Sequence, residues 1–268
     1  MKRAIYLSIL GVITAICIVF GIVRSIGRFA DGIWKNDPGN MVTLEPQSLD
    51  AFEKMDFDTE VLSVDITEGE GYAISYTAKE KLVPEYRVEN GTLYVKQEKV
   101  KGFKDGVGSK MHVVITVPKG ICLKNIDICA NVGDVKIEDI QTEQFSCDAD
   151  VGNIEIRNSS LGEAEITADV GNIDIKKTKL QDTEMEADVG DINLEDVELQ
   201  NTQITADVGN VKMDVNGNRQ DYSLDLEAEF GDIEVDGKRY SSHVKEDSNE
   251  GYQIAVTGSM GDIRVNFN

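Results

Sequence analysis

Residues 168–175 read ADVGNIDI, and near copies of this octamer recur along the second half of the chain. The closest copies are ANVGDVKI (130–137), ADVGNIEI (149–156), ADVGDINL (187–194) and ADVGNVKM (206–213). Two looser copies are AEFGDIEV (228–235) and GSMGDIRV (258–265). Their central glycines are Gly133, Gly152, Gly171, Gly190, Gly209, Gly231 and Gly261, spaced by 19, 19, 19, 19, 22 and 30 residues. Successive identical spacings define a structural repeat of about 19 residues.

Apolar residues alternate within each arm of the octamer. Ile166, Ala168 and Val170 precede the central glycine, and Ile173 and Ile175 follow it. A period of two is typical of a β-strand. The phase slips by one residue across the glycine, so a flat strand would turn its second arm outward. We therefore predict a corner at each of these glycines, which tolerate unusual backbone angles and keep both arms facing one interior.

A second apolar series marks another side of the repeat. Leu161, Leu180 and Leu199 each follow a central glycine by nine residues. A unit of about 19 residues with two or more short strands predicts one rung of a β-helix, and stacked rungs lie about 4.8 Å apart. The predicted fold is all-β, a single-domain parallel β-solenoid.

The ends of the solenoid are less regular than its centre. Residues 51–120 are predicted to form irregular N-terminal coils that cap it, with a hairpin at Asn90-Gly91. Residues 121–268 are predicted to hold the regular repeats and the C-terminal coils. Within them, 237–252 is predicted to be a surface loop and 253–268 to close the far end.

An apolar segment precedes the solenoid. Residues 4–23 carry no charge, and about 20 such residues span a bilayer as a helix. We predict a short cytoplasmic head at 1–3, an uncleaved transmembrane signal anchor at 4–23 and a juxtamembrane linker at 24–50. The expected location is the bacterial cell membrane, single-pass, with the C-terminal domain outside the cytoplasm.

Charge narrows the class of partner. The chain carries a net charge of −22. Its first 35 residues hold five basic side chains and one acidic, so the remainder carries 22 basic and 48 acidic residues, a net charge of −26. Such a domain is repelled by nucleic-acid phosphates, and we expect no nucleic-acid partner. Cations, basic proteins and polycationic peptides are permitted.

With these motifs, the chain resembles the bacterial putative adhesin domains of unknown function, relatives of the head GIN domain. The matching residues are the Gly-Asp/Asn-Ile-x-Ile octamers, VITVPKG (114–120) and NGTLYVKQ (90–97). The resemblance covers about residues 50 to 268. It implies a membrane-anchored β-solenoid at the cell surface, in some cases encoded with cell-envelope stress systems. It implies no catalytic residues.

One acidic column is a candidate metal site. The residues two places before the central glycines are Asp150, Asp169, Asp188 and Asp207. If the rungs stack in register, these carboxylates form a ladder, and carboxylates beside Asn carbonyls are ligands that Ca²⁺ prefers. The alternative is that the Asp and Asn residues shape the corner through side-chain-to-backbone hydrogen bonds. No cofactor other than Ca²⁺ is indicated.

The favoured function is a non-enzymatic, adhesin-like binding module that contacts cell-envelope components or a membrane partner protein. The alternative is a sensory or regulatory accessory protein of a cell-envelope stress response. A Ca²⁺-binding β-roll and a carbohydrate-active enzyme are less favoured. Catalytic carboxylates cluster in a cleft walled by long loops, whereas here they recur with the repeat, and His112 and His243 lie near no nucleophile motif.

Overall fold

The computed structural model describes residues 39–98, 111–248 and 251–268. Its regular structure consists of strands and two single-turn 3-10 helices, Glu80–Leu82 and Arg219–Asp221. The strands before the regular repeats are β1 (Met41–Ser48), β2 (Lys54–Thr59), β3 (Ser63–Gly69), β4 (Ala73–Lys79), β5 (Glu85–Glu89), β6 (Thr92–Lys96) and β7 (His112–Pro118). Those of the regular repeats are β8 (Cys122–Val132), β9 (Val135–Glu138), β10 (Gln141–Val151), β11 (Ile154–Arg157), β12 (Ser160–Val170), β13 (Ile173–Lys176), β14 (Lys179–Val189), β15 (Ile192–Val208) and β16 (Val211–Val215). The last are β17 (Tyr222–Phe230), β18 (Ile233–Val235), β19 (Lys238–Tyr240), β20 (His243–Glu246), β21 (Tyr252–Met260) and β22 (Ile263–Phe267).

The regular coils form the predicted parallel solenoid. Each long strand pairs with the strand 19 residues later, as Ile166 pairs with Met185, and each short strand does the same, as Ile154 pairs with Ile173. The short strands form one face, sheet A, and the long strands form a second, sheet B. β15 contributes its first half to sheet A and its second half to sheet B.

The interior of one rung is filled by side chains from three segments. These buried residues are Ile154, Ile156, Ser159, Leu161, Ala164, Ile166 and Ala168. The alternation of buried and exposed residues is interrupted between successive segments, because the chain turns there. The predicted Leu161, Leu180 and Leu199 series is buried, with at most 2% of each residue exposed. Each rung adds one layer of buried, mostly aliphatic side chains to this core. Burial of the stacked layers supplies most of the folding free energy.

Close backbone contact explains the glycine at the first corner. The direction in which Gly171 would carry a Cβ is occupied by the carbonyl oxygen of Gly152, and Gly190 is blocked in the same way by Gly171. The corner glycines are therefore required for the approach of one coil to the next. The predicted tolerance of unusual backbone angles also applies at five of these corners, where φ lies between 149° and 158° (Gly133, Gly152, Gly190, Gly209 and Gly261).

The residue after each corner glycine forms a ladder between coils. The side-chain oxygen of Asn153 accepts the backbone N–H of Asn172 at 3.0 Å, and that of Asn172 accepts the N–H of Asp191 at 2.9 Å. The other members bond likewise: Asp134 to Asn153, Asp191 to Asn210, Asn210 to Asp262 and Asp262 to Asp232. These bonds satisfy N–H groups that the corner removes from the strand ladder. They join coils and are not local to one corner.

A second corner was not predicted. Asp139, Asn158, Lys177 and Asp196 lie 19 residues apart in the left-handed region, with φ between 50° and 60°. Asn and Asp enter this region more readily than most residues. Beneath this corner, the buried hydroxyl of Thr178 donates to the Lys176 carbonyl at 2.9 Å and accepts the N–H of Ser159 from the preceding coil at 3.3 Å.

At the N-terminal end, the order of coils in space differs from their order in the chain. The first coil, β2 and β3, pairs with β8 and β9 of the regular repeats. The second coil, β6 and β7, pairs with the opposite edges of β2 and β3 and therefore lies farther from the regular repeats than the first. Antiparallel strands β5 and β4 then cap β6 and β7, and the predicted Asn90-Gly91 hairpin joins β5 to β6.

The predicted linker 24–50 ends earlier than expected. Residues 41–48 form β1, which pairs antiparallel with β4. Leu44 packs against the core, and this contact together with the open edge of β4 accounts for the strand. The register shifts between Leu44 and Gln47, where Pro46 has no N–H to donate.

The C-terminal end corrects two expectations. Residues 253–268 do not close the solenoid, because β21 lies between β15 and β17, and β22 lies between β16 and β18. The predicted loop 237–252 contains β19 and β20, which pair antiparallel with β18 and β17 and cover the last coil. Arg219 Nε donates to Glu246 at 3.0 Å and Nη1 to Asp236 at 3.3 Å, which fastens this cap.

The predicted membrane anchor at 4–23 lies outside the described residues. Among the residues that are described, no helix has the length and apolarity needed to cross a bilayer.

Replacement of Gly171 by Ala should destabilise the domain severely, because a Cβ would overlap the Gly152 carbonyl of the preceding coil. We expect a loss of about 3 kcal/mol and a melting temperature lower by about 10 °C. Gly71→Ala is the matched control, since nothing lies within 4 Å of a Cβ at that position. Equal melting temperatures for the two variants would contradict the proposed role of the corner contact.

Candidate functional site

The two faces of the regular coils differ in charge. The strand segments of sheet A at 135–138, 154–157, 173–176, 192–195, 211–215 and 263–267 carry equal numbers of basic and acidic residues. The basic residues are Lys136, Arg157, Lys176, Lys212 and Arg264, and the acidic ones are Glu138, Glu155, Asp174, Glu195 and Asp214. Many are paired, as Lys176 with Glu195 at 2.6 Å and Lys212 with Asp214 at 3.2 Å. Sheet A is therefore neutralised internally.

The central part of sheet B, between Lys124 and Lys179 at one margin and the first corner at the other, presents a largely acidic surface, which we call the acidic face. It comprises residues 125–131, 144–150, 163–169, 182–188, 201–207 and 253–259, and these segments contain no Lys or Arg. Its carboxylates are Asp127, Asp148, Asp150, Glu163, Glu165, Asp169, Asp182, Glu184, Glu186, Asp188 and Asp207. Acidic residues within these strands lie outward because the intervening positions fill the core. The repeat thus places charge of one sign on one side of the molecule.

A shallow groove of about 520 Å³ crosses the acidic face. Its lining includes two columns of outward side chains, Asn125, Gln144, Glu163, Asp182, Asn201 and Gln253 in one and Ser146, Glu165, Glu184, Gln203 and Ala255 in the other. Amides bridge some carboxylates: Gln144 donates to Glu163 at 3.2 Å and Asn201 to Asp182 at 2.8 Å. Four carboxylates remain side by side at its centre, where Glu163 pairs in register with Asp182 and Glu165 with Glu184.

The buried column beneath the groove is unusual. Phe145 is followed in successive coils by the smaller Ala164, Thr183 and Thr202. Thr183 and Thr202 also line the groove, and the buried Oγ1 atoms of both have no hydrogen-bond partner. A buried, unsatisfied hydroxyl lowers stability by about 1–3 kcal/mol, so the core is not optimised for stability at this position.

The predicted ladder Asp150, Asp169, Asp188 and Asp207 lies at the border of the acidic face, next to the first corner. All are exposed, and their strands pair in register. Partial desolvation beside the neighbouring coils, with smaller contributions from Asp169 and Asp207, raises the pKa of Asp188 above its ordinary value of 3.8. Burial, together with Asp150 and Asp169, raises the pKa of Asp148 in the same direction.

In the described part of the chain, no three or more His, Cys, Asp or Glu side chains converge in a way that could hold a metal ion. The ladder spreads its carboxylates along the solenoid, one per coil, and does not gather them around a point. Cation binding by the ladder stays a prediction.

The residue before each corner glycine does not face the interior as predicted. Val132, Val151 and Val170 are 40%, 43% and 38% exposed, because the chain is already turning and the alternation ends at the preceding residue. In-register pairing makes them part of a continuous apolar column. We call this column the valine ridge: Val132, Val151, Val170, Val189, Val208, Met260 and Phe230. The ladder of aspartates runs alongside it.

The remaining candidate reactive groups have structural surroundings. His243 Nε2 lies 3.0 Å from Asp225 Oδ1, and Lys245 donates to the other oxygen of that carboxylate at 2.8 Å. His112 lies in β7, at the pairing with Ser63. Cys147 is buried, and burial raises the pKa of its thiol, so it stays protonated and poorly nucleophilic.

Comparison with known proteins gives a family match. A family model described as Toastrack DUF4097 matches residues 52–251, which include six of the seven octamers from which the adhesin-like resemblance was inferred. That resemblance is confirmed. No curated protein matches the chain.

Solved structures give further likenesses. A putative adhesin from Bacteroides fragilis NCTC 9343 shares 16% identity with a TM-score of 0.49, over 84% of this chain and 97% of that protein. A putative adhesin from Parabacteroides merdae ATCC 43184 shares 17% identity with a TM-score of 0.47, over 86% of this chain and 98% of that protein. Nothing about ligands follows from likenesses at this level.

The raised pKa of Asp188 predicts a pH-dependent stability. The folded state binds this proton more tightly than the unfolded state, so the gain in stability is complete below the unfolded pKa and is lost as pH rises through the folded pKa. Asp188→Asn should therefore raise the melting temperature at pH 7 by roughly 1–2 °C and lose that advantage near pH 3.

Asp214→Asn is the control of opposite sign. Burial raises the pKa of Asp214, but hydrogen bonds from Asn266 and Lys212 lower it more, so the net shift is downward. This variant should melt below the wild type at pH 7 and approach it in acid. The explanation is wrong if both variants shift in the same direction at pH 7.

Thermal melting also tests the predicted cation ladder. Because its carboxylates do not converge, we expect millimolar Ca²⁺ to raise the melting temperature of the full chain no more than NaCl of equal ionic strength. A larger shift that is reversed by a chelator and abolished by Asp169→Asn would instead establish the ladder as a Ca²⁺ site.

Proposed function

This chain belongs to the Toastrack DUF4097 family, and we propose that it is a non-enzymatic binding module of the bacterial cell envelope. In this proposal, residues 4–23 anchor the chain in the membrane, and the solenoid lies outside the cytoplasm. The uncharged run at 4–23 and the net charge of −26 beyond residue 35 support this arrangement.

The binding surface in this proposal is the acidic face, and its ligands are cationic groups. The observation that carries the proposal is the difference between the faces: sheet A balances its charges, whereas the acidic face has no Lys or Arg. Charge of one sign over this surface attracts ligands of the opposite sign and raises their rate of association.

The centre of the groove is the strongest point of attraction. Glu163, Glu165, Asp182 and Glu184 lie on adjacent coils about 4.8 Å apart. Two amides hold the outer ends of one column, so the carboxylates are positioned before a ligand arrives. A row of lysine, arginine or amino groups would replace their mutual repulsion with attraction.

The periodic arrangement favours binding over catalysis. Paired catalytic carboxylates need different environments and therefore different pKa values. The four groove carboxylates lie at equivalent positions of two adjacent coils, Glu163 beside Asp182 and Glu165 beside Glu184, so the two members of each pair have nearly the same surroundings. Such a column suits a repetitive ligand that lies along the solenoid axis.

Binding of a fluorescent oligolysine to the full chain tests the proposal. We expect binding that weakens with salt, because surface electrostatics are screened over a Debye length of about 8–10 Å. Conversion of Glu163, Glu165, Asp182 and Glu184 to the corresponding amides should lower the affinity about tenfold.

The matched control converts Glu138, Glu155, Asp174 and Glu195 of sheet A to amides, which changes the net charge equally. This control should alter the affinity by less than about twofold. Fluorescence anisotropy measures both. Equal losses in the two variants would mean that net charge alone drives binding, and the acidic face would not be the site.

A further inference from the structure

We propose that the valine ridge is a docking surface for an amphipathic α-helix of a partner protein or peptide, with the apolar stripe of the helix on the ridge and its basic side chains on the neighbouring aspartates. The inference rests on the proposed function, since it uses the same acidic face, and it specifies the form of the cationic ligand.

The ridge is continuous, with four exposed members and three, Val189, Val208 and Met260, that are half-buried. Val132, Val151 and Val170 are between 38% and 43% exposed, and Phe230 at the far end is 39% exposed. Each member pairs in register with the next, through Met260 to Phe230. Contiguous exposed apolar patches rimmed by polar residues often mark sites of protein–protein interaction.

Spacing favours a helix over an extended strand. Members of the ridge repeat every ~4.8 Å along the solenoid, and an α-helix presents one apolar stripe residue per turn of about 5.4 Å. The difference is about 0.6 Å per coil, so the helix stays within about half a step of the ridge over four coils. Same-face residues of an extended strand repeat about every 6.8 Å and would fall out of step within two coils.

Length and charge define the helix further. Six steps of ~4.8 Å give a ridge about 29 Å long, which matches a helix of about 19 residues. Asp150, Asp169, Asp188 and Asp207 run along one side of the ridge, so basic residues on the corresponding flank of the helix would face them. A second copy of this chain is disfavoured, because the residues that flank the ridge position in each coil, Asp, Asn, Glu or Ser before it and Gly-Asn or Gly-Asp after it, include no basic residue that could pair with the aspartates.

The test compares three labelled peptides binding to the full chain in a zwitterionic detergent. One is a 19-residue Leu/Lys peptide with leucines at helical spacing, the second has the same composition in an order without an apolar stripe, and the third is oligolysine. We expect the first to bind about tenfold more tightly than the second.

The ridge variant is Val151→Thr/Val170→Thr/Val189→Thr, which keeps the side-chain shape and strand propensity. It should lower the affinity for the amphipathic peptide about tenfold and leave oligolysine binding unchanged. Met41→Thr, an exposed apolar residue away from the ridge (42% exposed), is the control and should change neither. Should the triple variant melt early, Val170→Thr alone is compared in the same way.

The outcomes separate the two proposals. Unchanged affinity of the ridge variant for the amphipathic peptide, or equal binding of the ordered and permuted peptides, overturns the ridge as a helix-docking surface. If oligolysine still binds in that case, the acidic face stands as a binding surface. Failure of all three peptides to bind the wild type overturns both.

Discussion

Each regular coil meets the next by direct backbone contact at a corner glycine, and the rest of the solenoid depends on this contact. The carbonyl oxygen of Gly152 occupies the space that a Cβ on Gly171 would need, so no other residue permits strand-pairing distance there. The neighbouring Asn or Asp then satisfies an N–H that the turn frees. The Gly-Asn or Gly-Asp pair therefore combines a steric requirement with a polar one, which explains why both residues recur together.

Because the coils stack in register, the sequence of one repeat determines the features of a whole face of the molecule. A residue that lies outward in one coil lies outward at the same height in the next, so a single position of the repeat becomes a column. Carboxylates on the long strand become the acidic face, and the valine before each corner becomes the valine ridge. The short strands pair Lys136 with Glu155 and Lys176 with Glu195 and become a neutral face. The proposed binding function depends on these columns, which the 19-residue repeat produces.

The interior of the regular coils could be predicted from the sequence because alternation reports orientation within a strand. Ile166, Ala168, Ile173 and Ile175 are buried as predicted. Val170 is exposed, because alternation no longer predicts the direction of a side chain where the backbone turns. The order of the terminal coils could not be predicted either. The octamers at 228–235 and 258–265 have the same alternation of inward residues, so either could have paired with β15. Contacts in the C-terminal cap distinguish the two octamers. Tyr222 packs against Phe267 and Tyr252, and Arg219 donates a hydrogen bond to Glu246.

The sequence by itself determined the 19-residue period, the strand character, the corner glycines and the acidity of the domain. These properties follow from short-range pattern and composition. Only the tertiary structure decided that the charge is gathered on one face, that Val170 belongs to an exposed ridge, that Lys177 lies in a left-handed corner and that β21 is inserted between β15 and β17. Each of these depends on how the chain turns and which edges pair, and neighbouring coils supply the steric and hydrogen-bonding constraints that settle both.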